Sequence, residues 1–295
     1  MVNKFDETIL ARFEQYLTQI SLSPKTIASY LTDLTVFIRW ATETYADNFS
    51  LLEAQPDQIR AYLTYLLNDL GRAPSTANRH LQALRKCCAY IAEINLAPAN
   101  VAEEISLVSL KNQLECETLS PQNIAALLEA AGDTRASIAK RDKAILRLLL
   151  NTGLRVAEVV DLRLDDVVFD YPGVHLIVRD SRGWGVREIP LAAEVCRSLK
   201  DYLLIRPKTA AAVHLFLTQE GKPLSSRTVQ RIVSRCAGQA KLSGVTAQLL
   251  RRTYAVDLLQ ETGDLDLVTQ RLGHQTPAIT MRYLNMKEVK QADRN

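Results

Sequence analysis

Helix starts punctuate this chain more often than any other local signal, and they leave room for little more than one short β-hairpin. Ser23-Pro24, Pro74-Ser75-Thr76, Ser120-Pro121 and Ser225-Ser226 each put a hydroxyl oxygen, a proline or both where a helix begins. A hydroxyl there accepts from an unsatisfied N–H of the first turn, and a proline there breaks no hydrogen bond. Apolar residues recur at helical spacing around these starts. Ile9, Phe13, Tyr16 and Leu17 share one face of Thr8–Leu17, and Ile27, Tyr30, Leu31, Leu34, Phe37, Ile38 and Ala41 form a stripe behind Ser23. Further helices are expected over about 56–70 and 74–94, and then over 121–131, 137–152 and 156–162. The β-branched run Val174–Val178 and its partner Val186–Leu191 form a hairpin about the turn 180–185.

At 295 residues and 47% hydrophobic, the chain holds enough apolar material for two ordinary domains. Residues 97–118 are of mixed polarity with little periodicity and read as a linker. The expected division is a helical domain over 1–105 and, over 106–295, an α-rich domain with a small antiparallel sheet. The class is mainly α. No run of about 20 apolar residues is present, so a membrane span is not expected. Met1–Glu7 lacks an apolar signal core, which argues against secretion. Cys87, Cys88, Cys116, Cys196 and Cys236 are scattered and odd in number, which suits reduced thiols in a cytoplasmic protein better than disulfides or a zinc site. The net charge of +3 is unevenly divided: residues 1–105 hold 9 Lys+Arg against 12 Asp+Glu, and the remainder holds 27 against 21. Basic charge therefore gathers in the second domain, as phosphate binding requires.

That domain carries Arg155 in Asn-Thr-Gly-Leu-Arg-Val-Ala-Glu, Arg251 in Leu-Arg-Arg-Thr, His274 in Leu-Gly-His, and Tyr283 in Met-Arg-Tyr-Leu. Two arginines can grip the non-bridging oxygens of a phosphate and stabilise the charge that develops in its transition state. A histidine can add a hydrogen bond or move a proton, and a tyrosine can attack phosphorus and hold it as an ester. Taken singly, Arg155 would pair with Glu158 and Tyr283 would be a core tyrosine beside Leu284 and Ile279. Together the four are a nucleophile with its electrostatic clamp.

At these residues the chain resembles the tyrosine recombinase (phage integrase) family, and within it the short Xer-like members. The ordered boxes carry the resemblance, with Tyr283 nine residues after His274, and it extends over residues 6–95, which resemble the family's helical core-binding (SAM-like) domain. The resemblance implies that Tyr283 attacks a scissile phosphate, forming a 3′-phosphotyrosyl link and releasing a 5′-hydroxyl. That hydroxyl then attacks the equivalent link on a partner duplex. No metal or nucleotide cofactor is implied. The implied partner is double-stranded DNA with an inverted-repeat core site, bound by a homo-tetramer or by a hetero-tetramer with a second recombinase, through a Holliday junction. The implied setting is the prokaryotic cytoplasm at the nucleoid, in integration, excision or multimer resolution, on a chromosome or a mobile element. Glu158 and Asp161 resemble the acidic positions that steady the first arginine. Leu284, Met286 and Val289 would form a short docking helix.

Two positions depart from the family pattern. Gln248 stands where His-x-x-Arg has its histidine; it can donate to a phosphate but cannot shuttle a proton near neutral pH. Arg182 stands where a hairpin lysine serves as the proton donor, and with a pKa above ~12 it is a poor acid though a good phosphate clamp. The catalytic set implied is thus Tyr283, Arg155, Arg251, His274, Arg182 and Gln248. Expected DNA contacts are Lys25, Thr26, Ser29, Tyr30, Ser75, Thr76, Asn78, Arg79, Arg85 and Lys86 from the helix starts of the first domain. Arg179 and Arg187 flank the hairpin, and Arg227, Thr228 and Arg231 lie near the helix start at Ser225. Two other readings share these residues: a DNA-binding paralogue with weak or no chemistry, and a relaxing enzyme similar to type IB topoisomerases.

Overall fold

The computed structural model describes residues 4–45, 49–109, 118–132, 135–170, 173–180, 185–208 and 213–284. Cys116, Tyr171, Arg182, Met286 and Val289 lie outside them. The chain divides into two compact units, Met1–Gln113 and Leu114–Asn295.

The described residues of the first unit form the helices α1 (Lys4–Gln19), α2 (Pro24–Thr44), α3 (Pro56–Asn68) and α4 (Pro74–Glu93). The apolar stripes face inward as their spacing predicts, and Phe13, Leu17, Leu34, Phe37, Ile38, Ile59 and Leu81 are fully buried. Ser23 caps α2, its Oγ accepting from the Thr26 N–H at 3.1 Å. Asp6, buried on α1, accepts from Leu51 N at 3.0 Å and Ser50 Oγ at 3.1 Å, fixing a 3₁₀ turn at Leu51–Glu53.

One polar network crosses this core. Asp33 of α2 accepts from Arg79 and lies 3.3 Å from His80 Nε2, while His80 Nδ1 meets Tyr62 Oη at 2.9 Å. Asp33 and His80 are both buried, so the network links α2, α3 and α4 through groups that would otherwise be orphaned. Burial raises the Asp33 carboxyl, opposed by the charges of His80 and Arg79, and lowers the His80 imidazole, opposed by the charge of Asp33.

The segment after α4, expected as linker, packs on this unit instead. Ala102 and Ile105 are buried in its core. Arg85 donates Nε to Ala102 O at 3.2 Å and Nη2 to Ile105 O, and Asn78 exchanges both hydrogen bonds with the Val108 backbone at 2.8 and 2.9 Å. Side chains of α4 thus satisfy an irregular backbone that shows no periodicity. Cys87, Cys88 and Cys196 are free thiols; burial pushes Cys87 well up and Cys88 to about 12, leaving both unreactive.

The second unit holds α5 (Pro121–Ala130), α6 (Ala136–Thr152) and α7 (Val156–Asp161). A three-stranded antiparallel sheet follows, of β1 (Val167–Asp170), β2 (Gly173–Arg179) and β3 (Val186–Pro190). The chain ends with α8 (Ala193–Leu203), α9 (Ser226–Gln239), α10 (Ala247–Thr262), α11 (Leu265–Leu272) and α12 (Pro277–Tyr283). Leu176 sits opposite Val167 on one side and Ile189 on the other, and its side chain is buried. Strand β1 is too short to show a period. It is positioned by buried Asp166, which accepts from Arg163 N at 2.8 Å and from Arg179. Helix α6 is the centre of the unit, with Ala144, Ile145, Leu148 and Leu149 fully buried and packed against α8 and α10. Ser120 and Ser225 cap α5 and α9 as expected. Among the described residues, no helix is long and apolar enough to cross a membrane.

Replacing Asp33 leaves His80 and Arg79 without their carboxylate. Asp33→Ala should destabilise the protein by about 2 kcal/mol, because buried His80 loses its hydrogen-bond partner while half-exposed Arg79 can turn to water. Urea unfolding of the full chain would show the transition moving to lower denaturant; an unmoved transition would contradict this role.

Candidate active site

A single buried carboxylate, Glu158, gathers three guanidinium groups. As the third residue of α7 it reaches back to the backbone N–H of Arg155, the residue that caps the helix, at 2.7 Å. Its other oxygen accepts from Arg155 Nη1 at 3.0 Å. Arg187 of β3 meets both oxygens, Nη1 to Oε1 at 3.0 Å and Nη2 to Oε2 at 2.9 Å, a bidentate pair. Arg251 Nη1 lies 3.9 Å from Oε2. Burial alone would raise the Glu158 carboxyl, but the hydrogen bonds and charge of Arg187 and then Arg155 pull it below the usual carboxylate range. A second carboxylate, Asp180, lies 3.9 Å from Arg155 Nη1.

The arginines are also aimed by two helix ends. Gly153 closes α6 and Gly273 closes α11, both left-handed, with φ of +60° and +62°. Each turns its carbonyl towards the site. Arg251 Nη1 donates to Gly153 O at 2.5 Å and its Nη2 to Leu272 O at 2.7 Å; Arg155 Nη2 donates to Gly273 O at 3.2 Å. A side chain at Gly153 would strike the Tyr254 ring, and one at Gly273 would come within 2.8 Å of Arg187 Nη1. Glycine is required at both places by backbone conformation and by crowding. Arg251 is only 3% exposed, and burial followed by the charge of Arg155 lowers its pKa to about 10. It remains a cation at neutral pH.

His274 follows Gly273 directly and is half-buried. Its Nε2 lies 3.2 Å from Arg251 Nη2 and its Nδ1 2.9 Å from the buried Thr280 hydroxyl. Tyr283, on the last turn of α12, stands edge-on to the imidazole with ring centroids 5.5 Å apart, and Arg251 Cζ lies 6.0 Å from its ring centre. The Tyr283 hydroxyl donates to the backbone carbonyl of Gln248 at 3.3 Å. Arg252 donates Nη2 to Tyr283 O at 3.1 Å, so both arginines of the Leu-Arg-Arg-Thr box face this site. The structure therefore brings the side chains of Arg155, Arg251, His274 and Tyr283 together, with the backbone carbonyl of Gln248 beside the phenol. Arg182 lies outside the described residues.

Arg187 sits in the same cluster and not on an open hairpin flank. Its side chain is 9% exposed, and its Nε donates to Arg271 O at 2.9 Å. Its partner Glu158 is 29 residues away, which hid the role from the sequence. Arg179 is exposed and paired with Asp166. Arg227 and Arg231 are exposed on α9, with Thr228 at the serine cap. In the first unit, Lys25 and Ser75 are exposed and Thr26, Ser29, Tyr30, Thr76 and Lys86 half-exposed, at the start of α2 and along α4. Arg79 is committed to Asp33, and Asn78 and Arg85 to residues 102–108. A nucleic-acid contact by those three has to share or break these bonds. Among the described residues no group of His, Cys, Asp and Glu is arranged to hold a metal ion.

Residues 117–289 match the phage integrase family, and residues 10–93 match the phage integrase N-terminal SAM-like domain. The chain belongs to the phage integrase family. Tyrosine recombinase XerC of Myxococcus xanthus is 30% identical over 287 residues, spanning 93% of this chain and 92% of its own length. Tyrosine recombinase XerC of Pelobacter propionicus is 28% identical over 270 residues, spanning 91% and 87%. Among solved structures, a lambda integrase dimer bound to a COC' core site superposes with a TM-score of 0.76 at 19% identity, over 98% of this chain and 79% of that one. XerH site-specific recombinase bound to difH substrate, in a pre-cleavage complex, gives 0.73 at 19% identity, over 95% and 92%. At these identities the structural likeness is one of fold. Within the family the chain is a tyrosine recombinase of the Xer type, an enzyme of DNA cleavage and rejoining. The non-catalytic reading gains no support from these relatives.

Because the folded Glu158 pKa lies below its unfolded value, near 4.5, its contribution to stability is complete above that pH and is lost as pH falls through the folded value. Glu158→Gln should lower stability at neutral pH, where buried Arg187 loses its counter-charge, and should flatten the acid limb of the stability curve. An unchanged acid-unfolding midpoint would contradict this.

Proposed function

We propose that Tyr283 is the nucleophile of a metal-independent strand transfer, with Arg155 and Arg251 as the phosphate clamp and His274 beside them. The observation that carries the proposal is the convergence of these four side chains, from the N-terminus of α7, from α10, from the turn after α11 and from α12, with the two arginines held beside one buried carboxylate. Attack by Tyr283 Oη on the scissile phosphorus forms a 3′-phosphotyrosyl ester and frees a 5′-hydroxyl. The developing charge on the non-bridging oxygens is met by guanidinium N–H groups already fixed in place. Gln248, exposed at the start of α10, offers a donor to phosphate but no proton acceptor. Keeping the bond energy in the ester lets the same site rejoin strands without a cofactor.

The DNA partner is a duplex with an inverted-repeat core site, bound by the exposed helix starts of the first unit and by Arg179, Arg227 and Arg231 of the second. Helix N-termini carrying Lys25, Thr26, Ser75 and Thr76 are suited to backbone phosphates. A tetramer on two duplexes, homomeric or with a second recombinase, is supported by the lambda integrase tetramer bound to a Holliday junction, whose fold is similar, with a TM-score of 0.73. The setting is the prokaryotic cytoplasm at the nucleoid, in integration, excision or multimer resolution.

Incubation with a nicked suicide duplex carrying the core site should give a covalent adduct on a denaturing gel, in the presence of a chelator. Tyr283→Phe should give none while binding DNA as the parent does, and Arg251→Ala should slow adduct formation by about 10²–10³. Tight specific binding with no adduct from the parent would overturn the proposal. Lys25→Ala should weaken binding similarly across sequences and reduce the salt slope by about 1. A sequence-dependent loss with an unchanged slope would rule out a phosphate contact at Lys25.

A further inference from the structure

His274 is one member of a chain of hydrogen bonds whose two ends are chemically fixed. At one end is the guanidinium of Arg251, which can only donate; at the other is the backbone carbonyl of Leu265, which can only accept. Between them run Arg251 Nη2 to His274 Nε2 at 3.2 Å, His274 Nδ1 to Thr280 Oγ1 at 2.9 Å, Thr280 Oγ1 to Thr269 Oγ1 at 2.8 Å, and Thr269 Oγ1 to Leu265 O at 2.8 Å. Each threonine hydroxyl has one proton to give. Thr269 gives its proton to Leu265 O, so its oxygen must accept from Thr280. Thr280 has then no proton left for the imidazole and must accept from Nδ1. The ring is therefore protonated at Nδ1, and its Nε2 lone pair accepts from Arg251. The opposite polarity would set an Nε2–H against a guanidinium N–H and leave two oxygens 2.8 Å apart without a proton between them.

Both threonines are buried, Thr280 fully and Thr269 at 7% exposed, so water has little access to rewrite the assignment. Of the charged and titratable groups of this site, Arg251 of α10 and Tyr283 of α12 meet the imidazole itself, and beyond them lie Arg155 and Glu158 at the start of α7, Asp180 after β2, Arg187 of β3, Arg252 of α10 and Arg271 of α11. Glu158 is saturated by arginines, and Gln248 cannot take a proton.

We propose that Thr280, backed by Thr269, is a positioning residue that locks His274 in its Nδ1–H tautomer, so that Nε2 serves as the proton acceptor for Tyr283. The inference rests on the proposed function above. When a phosphate oxygen takes over Arg251 Nη2, the Nε2 lone pair is released towards the phenol, whose ring stands edge-on to the imidazole. The Tyr283 Oη–H proton passes to Nε2 as the Oη–P bond forms and the P–O5′ bond breaks. The departing 5′-oxygen takes a proton from water, and the imidazolium returns its own to water, so protons balance over the step. The role expected at the Gln248 position is thereby moved to His274.

The test is a tautomer measurement paired with single-turnover cleavage. The full-length chain, labelled with ¹⁵N-histidine, has four histidines, so the His274 signals are assigned by their loss in His274→Gln. Two-bond ¹⁵N–¹H spectra above the imidazole titration should show the Nδ1–H form in the parent. Thr280→Val should admit the Nε2–H form and slow cleavage of the suicide duplex at least tenfold, with duplex affinity within twofold of the parent. Thr280→Ser should restore both. Thr269→Val, which leaves Thr280 and His274 intact, should also loosen the tautomer, and it carries the test if Thr280→Val does not fold. An Nε2–H parent, or Thr280→Val with the parental tautomer and rate, would overturn the inference. If the parent forms no adduct on its core site, the proposed function fails, and the tautomer spectra still decide for or against the lock.

Discussion

The second unit is organised around one imbalance: Glu158 is a single buried carboxylate shared by Arg155 and Arg187, with Arg251 just beyond hydrogen-bonding reach. Even with Asp180 beside Arg155, the cluster carries an excess of positive charge in a place largely closed to water. Burying cations costs free energy that only an anion can offset in full. The pKa of Arg251 is lowered first by burial and then by the charge of Arg155, the direction such a cost requires. A phosphate diester arriving at this point supplies the missing charge, and the same N–H groups that bind it are aimed where charge grows during attack.

What keeps the arginines from collapsing onto the carboxylate is the backbone. Gly153 and Gly273 end α6 and α11 in the left-handed conformation, and their carbonyls, with that of Leu272, hold the guanidiniums by their remaining donors. Helix ends thus serve as rigid acceptors, which links the fold to the chemistry. The second half of helix α6, with Ala144, Ile145, Leu146, Leu148 and Leu149 fully buried, fixes the position of Gly153. Helices α10, α11 and α12 share a small core of Ala255, Val268, Leu272 and Leu284 that carries His274 and Tyr283 together.

Much of this was legible in the sequence, and the reasons differ by element. Ser23, Ser120 and Ser225 announced their helices because capping is local, and the hairpin strands showed because β-branched residues cluster there. Arg155, Arg251, His274 and Tyr283 were legible only as an ordered set. Strand β1 was missed because four residues carry no period. Residues 97–118 read as linker, and the packing of their first part was hidden because Asn78 and Arg85, far back on α4, satisfy the backbone of residues 102–108. Arg187 looked like a DNA contact because its carboxylate lies on another element. The roles of Thr269 and Thr280 are likewise invisible without the fold, since hydrogen-bond direction depends on who stands at each end of the chain.

The most direct test of the account is the identity of the residue that becomes joined to DNA. A trapped adduct, trimmed with nuclease and digested with protease, should show by mass spectrometry a nucleotide phosphate on the peptide containing Tyr283, attached to the phenol oxygen through a 3′-phosphate. Attachment at any other residue, or through a 5′-phosphate, would contradict the placement of the nucleophile and with it the reading of the arginine cluster as its clamp.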